Sequence, residues 1–379
     1  MSAEEQSGEQ RSTPVELLWD LVFAFAVTQV TTLLAARLSW ANFGRGLLAL
    51  ALMWWAWSAY VWVVNAQPAG SPTVGRALLA ATGFIFVAGL ALPRAFGANG
   101  TLFAVCYAVV RLIHLGLYAD AARRGNASAS SIAGFALTVI VGMTMLVVGS
   151  LLGGVGRLIL WTGAAAIDYA GPGLLTRKRL RGLQRVAVVH FAERYGLFVI
   201  ICLGESIVSA GAGVLGTPGR PGPALRPELV AAVASLLLIT IGLWWAYFDR
   251  AAEEAQARLA GHGDPVLTAA DGYSYLHLPI VAGIIIFAVG GRLLVHGSVD
   301  GALQSGARWA LCGGIALYLV GHLAFCLRLG AGVNRFRLGA AIALLALAPA
   351  AGGIAGWVFA AVAAAIVAVM CALEGVFAY

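Results

Sequence analysis

The chain has 379 residues, of which 61% are hydrophobic and 11% charged, and its formal net charge is +7. A soluble domain carries about 25% charged residues, so the composition excludes a soluble fold. The basic residues are scattered over short loops and form no single basic face, which excludes a duplex-binding footprint; no nucleic-acid partner is expected.

In chain order, residues 1–15 are polar and read as a cytoplasmic tail. No cleavable leader is expected, because the first apolar run is itself long enough to span. Predominantly apolar runs then recur at 16–36, 43–64, 76–96, 100–119, 131–152, 157–175, 195–215, 228–248, 274–291, 307–327, 336–352 and 354–375. Each is near the roughly 20 residues that cross a bilayer as a helix, the form that satisfies its own backbone in lipid. The expected fold is all-α, a polytopic transmembrane helical bundle of about 12 spans. The 48 glycines are read as packing positions, since small residues let such helices approach closely. Two connections have real length: 216–227, rich in Gly and Pro, and 249–273, which carries most of the loop acids. The five cysteines lie in apolar runs with no metal or disulfide spacing, and no cofactor or metal site is expected.

Loop charge sets orientation. With the N-terminus in the cytoplasm, fifteen of the 24 Lys and Arg fall in cytoplasmic segments and eight outside, with Arg111 left inside a span. Both termini are therefore expected in the cytoplasm, with the basic cluster 177–185, within the cytoplasmic linker 176–192, as the strongest determinant. The halves on either side of it, 16–175 and 193–379, resemble each other. Glu16 and Glu193 each open a span. Trp54-Trp55-Ala56-Trp57 answers Trp244-Trp245-Ala246-Tyr247, His114 answers His322, and Asp168 answers Glu374. Six spans per half is an even number, so the expectation is two parallel six-helix repeats related by an axis along the membrane normal, with spans one and seven near the centre.

Carboxylates in hydrocarbon are costly and mark functional sites. Glu16 and Asp20 share one face of span one, being four apart, and Glu205 in Gly204-Glu205-Ser206 lies about 15 Å along span seven at 1.5 Å per residue. Glu193, like Glu16, is either a further acid-site candidate or an interfacial residue, where an acid in a first helical turn is favoured by the dipole alone. Arg111 and His114 share a face of span four, and Arg111 needs a carboxylate, either Asp20 or Asp168. His190 and Arg194 are read as markers of the interface before span seven, and His277 opens span nine. Trp19, Trp40 and Trp357 suit interfacial belts; Trp54, Trp55, Trp57, Trp244 and Trp245 are candidates for a cavity wall or for core packing.

The run Glu16-Leu17-Leu18-Trp19-Asp20-Leu21-Val22-Phe23-Ala24-Phe25-Ala26-Val27-Thr28-Gln29 resembles the opening signature of the bacterial low temperature requirement protein A family. So do Glu193-Arg194-Tyr195-Gly196-Leu197-Phe198, Leu203-Gly204-Glu205-Ser206-Ile207 and Leu276-His277-Leu278-Pro279-Ile280-Val281-Ala282-Gly283-Ile284. The resemblance implies a multispanning bacterial inner-membrane protein, and the family's biochemical activity is poorly defined. Asp20-Leu21-Val22-Phe23-Ala24 with Thr28 is also similar to the first helix of the lysosomal and bacterial potassium channels built from paired six-helix repeats. The chain departs from that pattern in lacking Phe-Ser before the Asp and in carrying Leu197 where an Asp would stand.

Three functions are compatible with these residues. The first is transport, by a channel or proton-coupled carrier whose central path holds the acids of spans one and seven. The second is a membrane-embedded enzyme using proton-initiated chemistry, such as cyclisation, on a lipid or isoprenoid-like substrate. The third is a non-catalytic, stress-related membrane protein. The expected partners are membrane lipid and either an ion or a small hydrophobic substrate; nothing in the sequence fixes the oligomeric state.

Overall fold

The structure is a computed structural model, which describes residues 13–65, 71–124, 129–172, 187–217, 220–221, 224–249, 251–297 and 299–377. Most of the N-terminal tail and the basic cluster 177–185 lie outside the described residues. The apolar runs fold as helices α1 (Pro14–Ala35), α2 (Trp40–Asn65), α3 (Pro72–Ala91), α4 (Gly100–Arg123), α5 (Ala129–Leu151), α6 (Gly154–Ala170), α7 (Val188–Leu215) and α8 (Pro227–Phe248). A two-residue antiparallel pairing, Gly216–Thr217 with Arg220–Pro221, follows α7. After α8 come α9 (Ala251–Ala260), α10 (Pro265–Ala269), α11 (His277–His296), α12 (Ser305–Arg328), α13 (Arg335–Ala350) and α14 (Gly356–Phe377). Among the described residues, ten helical segments are long and apolar enough to cross a membrane; α6 and α13, at 17 and 16 residues, are shorter.

Two boundaries differ from the sequence expectation, each for a physical reason. Helix α7 starts at Val188 and not near 195, because His190 and Arg194 are not solvated markers but buried partners of acids on α1. The stretch 249–273 is helical for most of its length. Glu253 and Glu254 in the first turn of α9 and Arg258 in the last complement the helix dipole, while Ala255 and Leu259, four apart, are buried. Asp264 caps α10 by accepting from the Leu267 N–H at 3.2 Å, with Pro265 in the first turn where its missing N–H costs nothing. A turn of π-helix, Ala270–Tyr275, completes the segment.

The chain gathers into two compact units: Met1–Gln29, Leu47–Phe198 and Gln256–Ser274 in one, and Val30–Gly46, Val199–Ala255 and Tyr275–Tyr379 in the other. The first is cored by aromatic rings, with Trp19, Phe23, Trp54, Trp57, Tyr60 and Tyr195 all buried. Its π-turn is fastened by a buried hydroxyl cluster. Trp62 Nε1 donates to Ser274 Oγ at 2.7 Å, Tyr195 Oη lies 3.0 Å from the same hydroxyl, and Trp54 Nε1 donates to the Ser274 carbonyl at 2.7 Å. In the second unit the tightest feature is the α11–α12 seam. A methyl on Gly283 would lie 2.5 Å from the Tyr318 backbone nitrogen, and one on Gly290 2.5 Å from that of Leu311, so backbone meets backbone as in small-residue membrane packing.

Helix ends are closed by arginines. In the first unit Arg157 donates to the carbonyls of Ala95, Gly97, Ser150 and Leu152. In the second, Arg308 donates to those of Leu303 and Ala348. Of these, Ser150, Leu152 and Ala348 stand at or just past helix C-termini, whose last carbonyls have no intrahelical partner.

Candidate functional site

The first unit holds a four-residue polar cluster where α1 meets α7. The i, i+4 spacing of Glu16 and Asp20 sends both carboxylates to one side, and the same spacing on α7 presents His190 and Arg194 to them. Arg194 Nη1 donates to Glu16 Oε2 at 2.6 Å, and Nη2 to Asp20 Oδ1 at 2.6 Å. His190 Nε2 lies 2.9 Å from Glu16 Oε2, and Thr13 Oγ1 donates to Oε1 at 2.8 Å. Trp57 Nε1 on α2 donates to Asp20 Oδ1 at 2.8 Å. All four charged or titratable members are at most 5% exposed. Buried charges of this kind require pairing and hydrogen bonding to be tolerated.

The pairing is incomplete. Asp20 Oδ2, Arg194 Nε and Trp19 Nε1 have no hydrogen-bond partner among the described residues. Glu16, His190 and Arg194 line a narrow crevice with Trp19, Tyr60, Val61, Val64 and Leu78, with no room for a water molecule. The cluster thus has two acids, one permanent cation and one titratable imidazole, set among largely apolar side chains.

Elsewhere in the first unit Arg111 Nη2 donates to Asp168 Oδ1 at 2.7 Å, with both side chains wholly buried. This resolves the choice of partner for Arg111 in favour of Asp168. His114 Nε2 lies 3.1 Å from the Ala59 carbonyl, so that nitrogen donates. In the second unit Arg337 clasps Glu374, Nε to Oε1 at 2.7 Å and Nη2 to Oε2 at 3.0 Å. Its Nη1 lies 2.6 Å from His322 Nδ1. His277 is buried with its Nε2 2.8 Å from Tyr247 Oη. Glu205 is 6% exposed and accepts from Ser209 Oγ at 2.6 Å. Each unit therefore carries a buried His, Arg and acid, but the Arg comes from α4 in one and from α13 in the other.

Several expectations change. Glu193 is exposed and stands apart from the cluster. Trp19 is not an interfacial residue but wholly buried, its ring 4.4 Å from that of Tyr60. Trp54 and Trp55 are buried, whereas Trp244 is 46% exposed and Trp245 half-buried. In the sequence Arg337 reads as a loop charge; the signal to its role is Glu374, an acid in an apolar helix that must find a cation. Among the described residues no group of three or more His, Cys, Asp or Glu could hold a metal ion.

The model of the bacterial low temperature requirement A protein family matches residues 11–372. The chain is 31% identical over 296 residues to the uncharacterized protein RA0937 of Rhizobium meliloti strain 1021, covering 76% of this chain and 70% of that one. No solved structure matches.

Proposed function

Because the chain belongs to the bacterial low temperature requirement A family of multi-pass membrane proteins, we propose that it is a transport protein of the inner membrane, a proton-coupled carrier. Spans α1 and α7 line its path, with Glu16, Asp20 and Glu205 as its acids. The observation that carries this reading is the count of charges in the α1–α7 cluster. Two carboxylates face one guanidinium, so with a neutral His190 one negative charge is left for a cation to meet. A proton suits it better than a metal ion, because Arg194 already occupies an oxygen of each acid and, among the described residues, the one vacant oxygen is Asp20 Oδ2.

The proposed architecture is two parallel six-helix repeats, with both termini in the cytoplasm. It is supported by the matching His and acid of the two units, His114 and Asp168 against His322 and Glu374, and by Tyr107 Oη on α4 and Tyr318 Oη on α12. These donate to the Leu52 and Leu243 carbonyls, on α2 and α8. A cysteine placed at position 180 is expected to react with an impermeant thiol reagent from the cytoplasmic side alone; labelling from outside would overturn the orientation.

The function is tested by reconstituting the purified protein in liposomes and following proton and potassium flux. Asp20→Asn and Glu205→Gln are expected to abolish proton flux while remaining monodisperse in detergent. A well-folded wild type that moves neither ion would refute transport and favour the membrane-embedded enzyme, to be pursued by mass spectrometry of bound lipid.

A further inference from the structure

The orientation of one amide fixes the tautomer of the cluster's neutral imidazole. Asn65, the last residue of α2, is 7% exposed. Its Oδ1 accepts from the Ala187 N–H at 2.9 Å, and its Nδ2 lies 3.3 Å from the Ala187 carbonyl. A backbone N–H can only donate and a backbone carbonyl only accept, so the amide cannot be turned the other way. The same Nδ2 lies 3.3 Å from His190 Nδ1. That ring nitrogen therefore faces a donor and must be bare, which puts the single proton on Nε2, where it is donated to Glu16.

We propose that Asn65 is the positioning residue of this cluster and that His190 Nδ1 is where it takes up a proton, releasing the start of α7 as it does so. A proton taken up by the ring makes Nδ1 a donor opposed to the donor Nδ2. Relief requires the amide to turn and present Oδ1 to the ring. That breaks the Oδ1 bond to the Ala187 N–H and the Nδ2 bond to its carbonyl. Ala187 precedes the first residue of α7, and its carbonyl already accepts from the Phe191 N–H at 2.9 Å, so it is the capping position of the helix. The other charged or titratable groups lining the crevice with His190 are Glu16 on α1, Arg194 on α7 and Tyr60 on α2, whose hydroxyl donates to the Val110 carbonyl; α3 contributes only the apolar Leu78. Protonation adds a positive charge beside Glu16 and leaves Arg194 free to shift its hold toward Asp20. Naming His190 as the proton carrier rests on the transport reading; the latch between Asn65 and Ala187 does not.

The test uses the full chain in lipid nanodiscs. Nitrogen-15 spectra of labelled histidine, with the His190 signal identified by its loss in His190→Gln, are expected to show the Nε2–H tautomer in the neutral form. Amide hydrogen exchange at residues 187–190, corrected for the chemical rate, is expected to rise about tenfold as the imidazolium signal appears, the effect of losing one or two hydrogen bonds. His190→Gln should show no such step. Asn65→Asp, whose carboxylate accepts from Nδ1–H without turning, should gain the imidazolium while the exchange step disappears. A neutral Nδ1–H tautomer, or an imidazolium formed in the wild type without faster exchange, would overturn the proposal. The wild-type measurements decide it even should Asn65→Asp fail to fold. Because neither readout involves flux, loss of the transport reading would leave the latch standing, and an absent latch would leave transport to the liposome assay.

Discussion

Arg194→Leu is expected to destabilise the folded protein by about 3–5 kcal/mol, the usual cost of removing one partner from a buried ion pair. It is the most damaging single change expected in the first unit. The guanidinium bonds Glu16 and Asp20 at 2.6 Å each, so its loss leaves two carboxylates on adjacent turns of α1, both under 5% exposed. His190 can reach only Glu16, and Trp57 is then the remaining donor to Asp20. The cost is read as the shift in unfolding midpoint in detergent. The explanation is charge, so neutralising the acids should undo the damage: the triple variant Glu16→Gln, Asp20→Asn, Arg194→Leu is expected to recover most of the loss. If Arg194→Leu costs no more than about 1 kcal/mol, as an exposed pair would, the acids do not carry charge in the folded protein and the charge count behind the transport reading falls with it.

Why the sequence disclosed the helices and half of this cluster, but not the rest, has a physical answer. A span announces itself through some 20 consecutive side chains, so all twelve apolar runs were legible, with ends off by a few residues. An acid within such a run is equally conspicuous, and Glu16, Asp20 and Glu205 stand out for that reason. Its partner is not, because pairing is a property of neighbouring helices and leaves no mark on spacing along one. Arg194 stood at the edge of an apolar run and looked like a loop charge; only its 2.6 Å bonds to α1 reveal it as core. Asn65 is still less visible. A neutral amide at a helix end is an ordinary interfacial residue until the Ala187 backbone is found against it. Trp244 shows the opposite failure: the match to Trp54 is real in sequence, yet one ring is buried and the other 46% exposed. Repeated residues record similar helices, not identical surroundings.

The second large effect concerns two adjacent glycines of α12 that sequence cannot tell apart. Gly314→Ala is expected to destabilise the second unit by about 1–3 kcal/mol, the range for overfilling a packed core, whereas Gly313→Ala should be neutral or stabilise by up to about 1 kcal/mol through helix propensity. The difference lies in what a methyl would meet. At Gly313 there is nothing within 4 Å; at Gly314 it would strike the Phe287 backbone nitrogen and lie 2.7 Å from the Gly283 carbonyl oxygen. Backbone of α11 cannot rotate aside as a side chain can, so the two helices must separate. Separation would not stay local. Gly283, Gly290 and Gly321 make the same kind of approach along the seam, and seven residues divide Gly283 from Gly290 and Gly314 from Gly321, a spacing that keeps one stripe of each helix facing its neighbour. The seam also ties α11, which carries His277, to α12, which carries His322, so prying it open should disturb the 2.8 Å contact of His277 with Tyr247 as well as lower the melting point. Thermal unfolding of the two alanine variants side by side checks this, since both differ from the wild type by the same single methyl. Equal midpoints would mean that the helices slide apart at no cost, and that the buried polar residues of this unit are held by something other than the glycine seam.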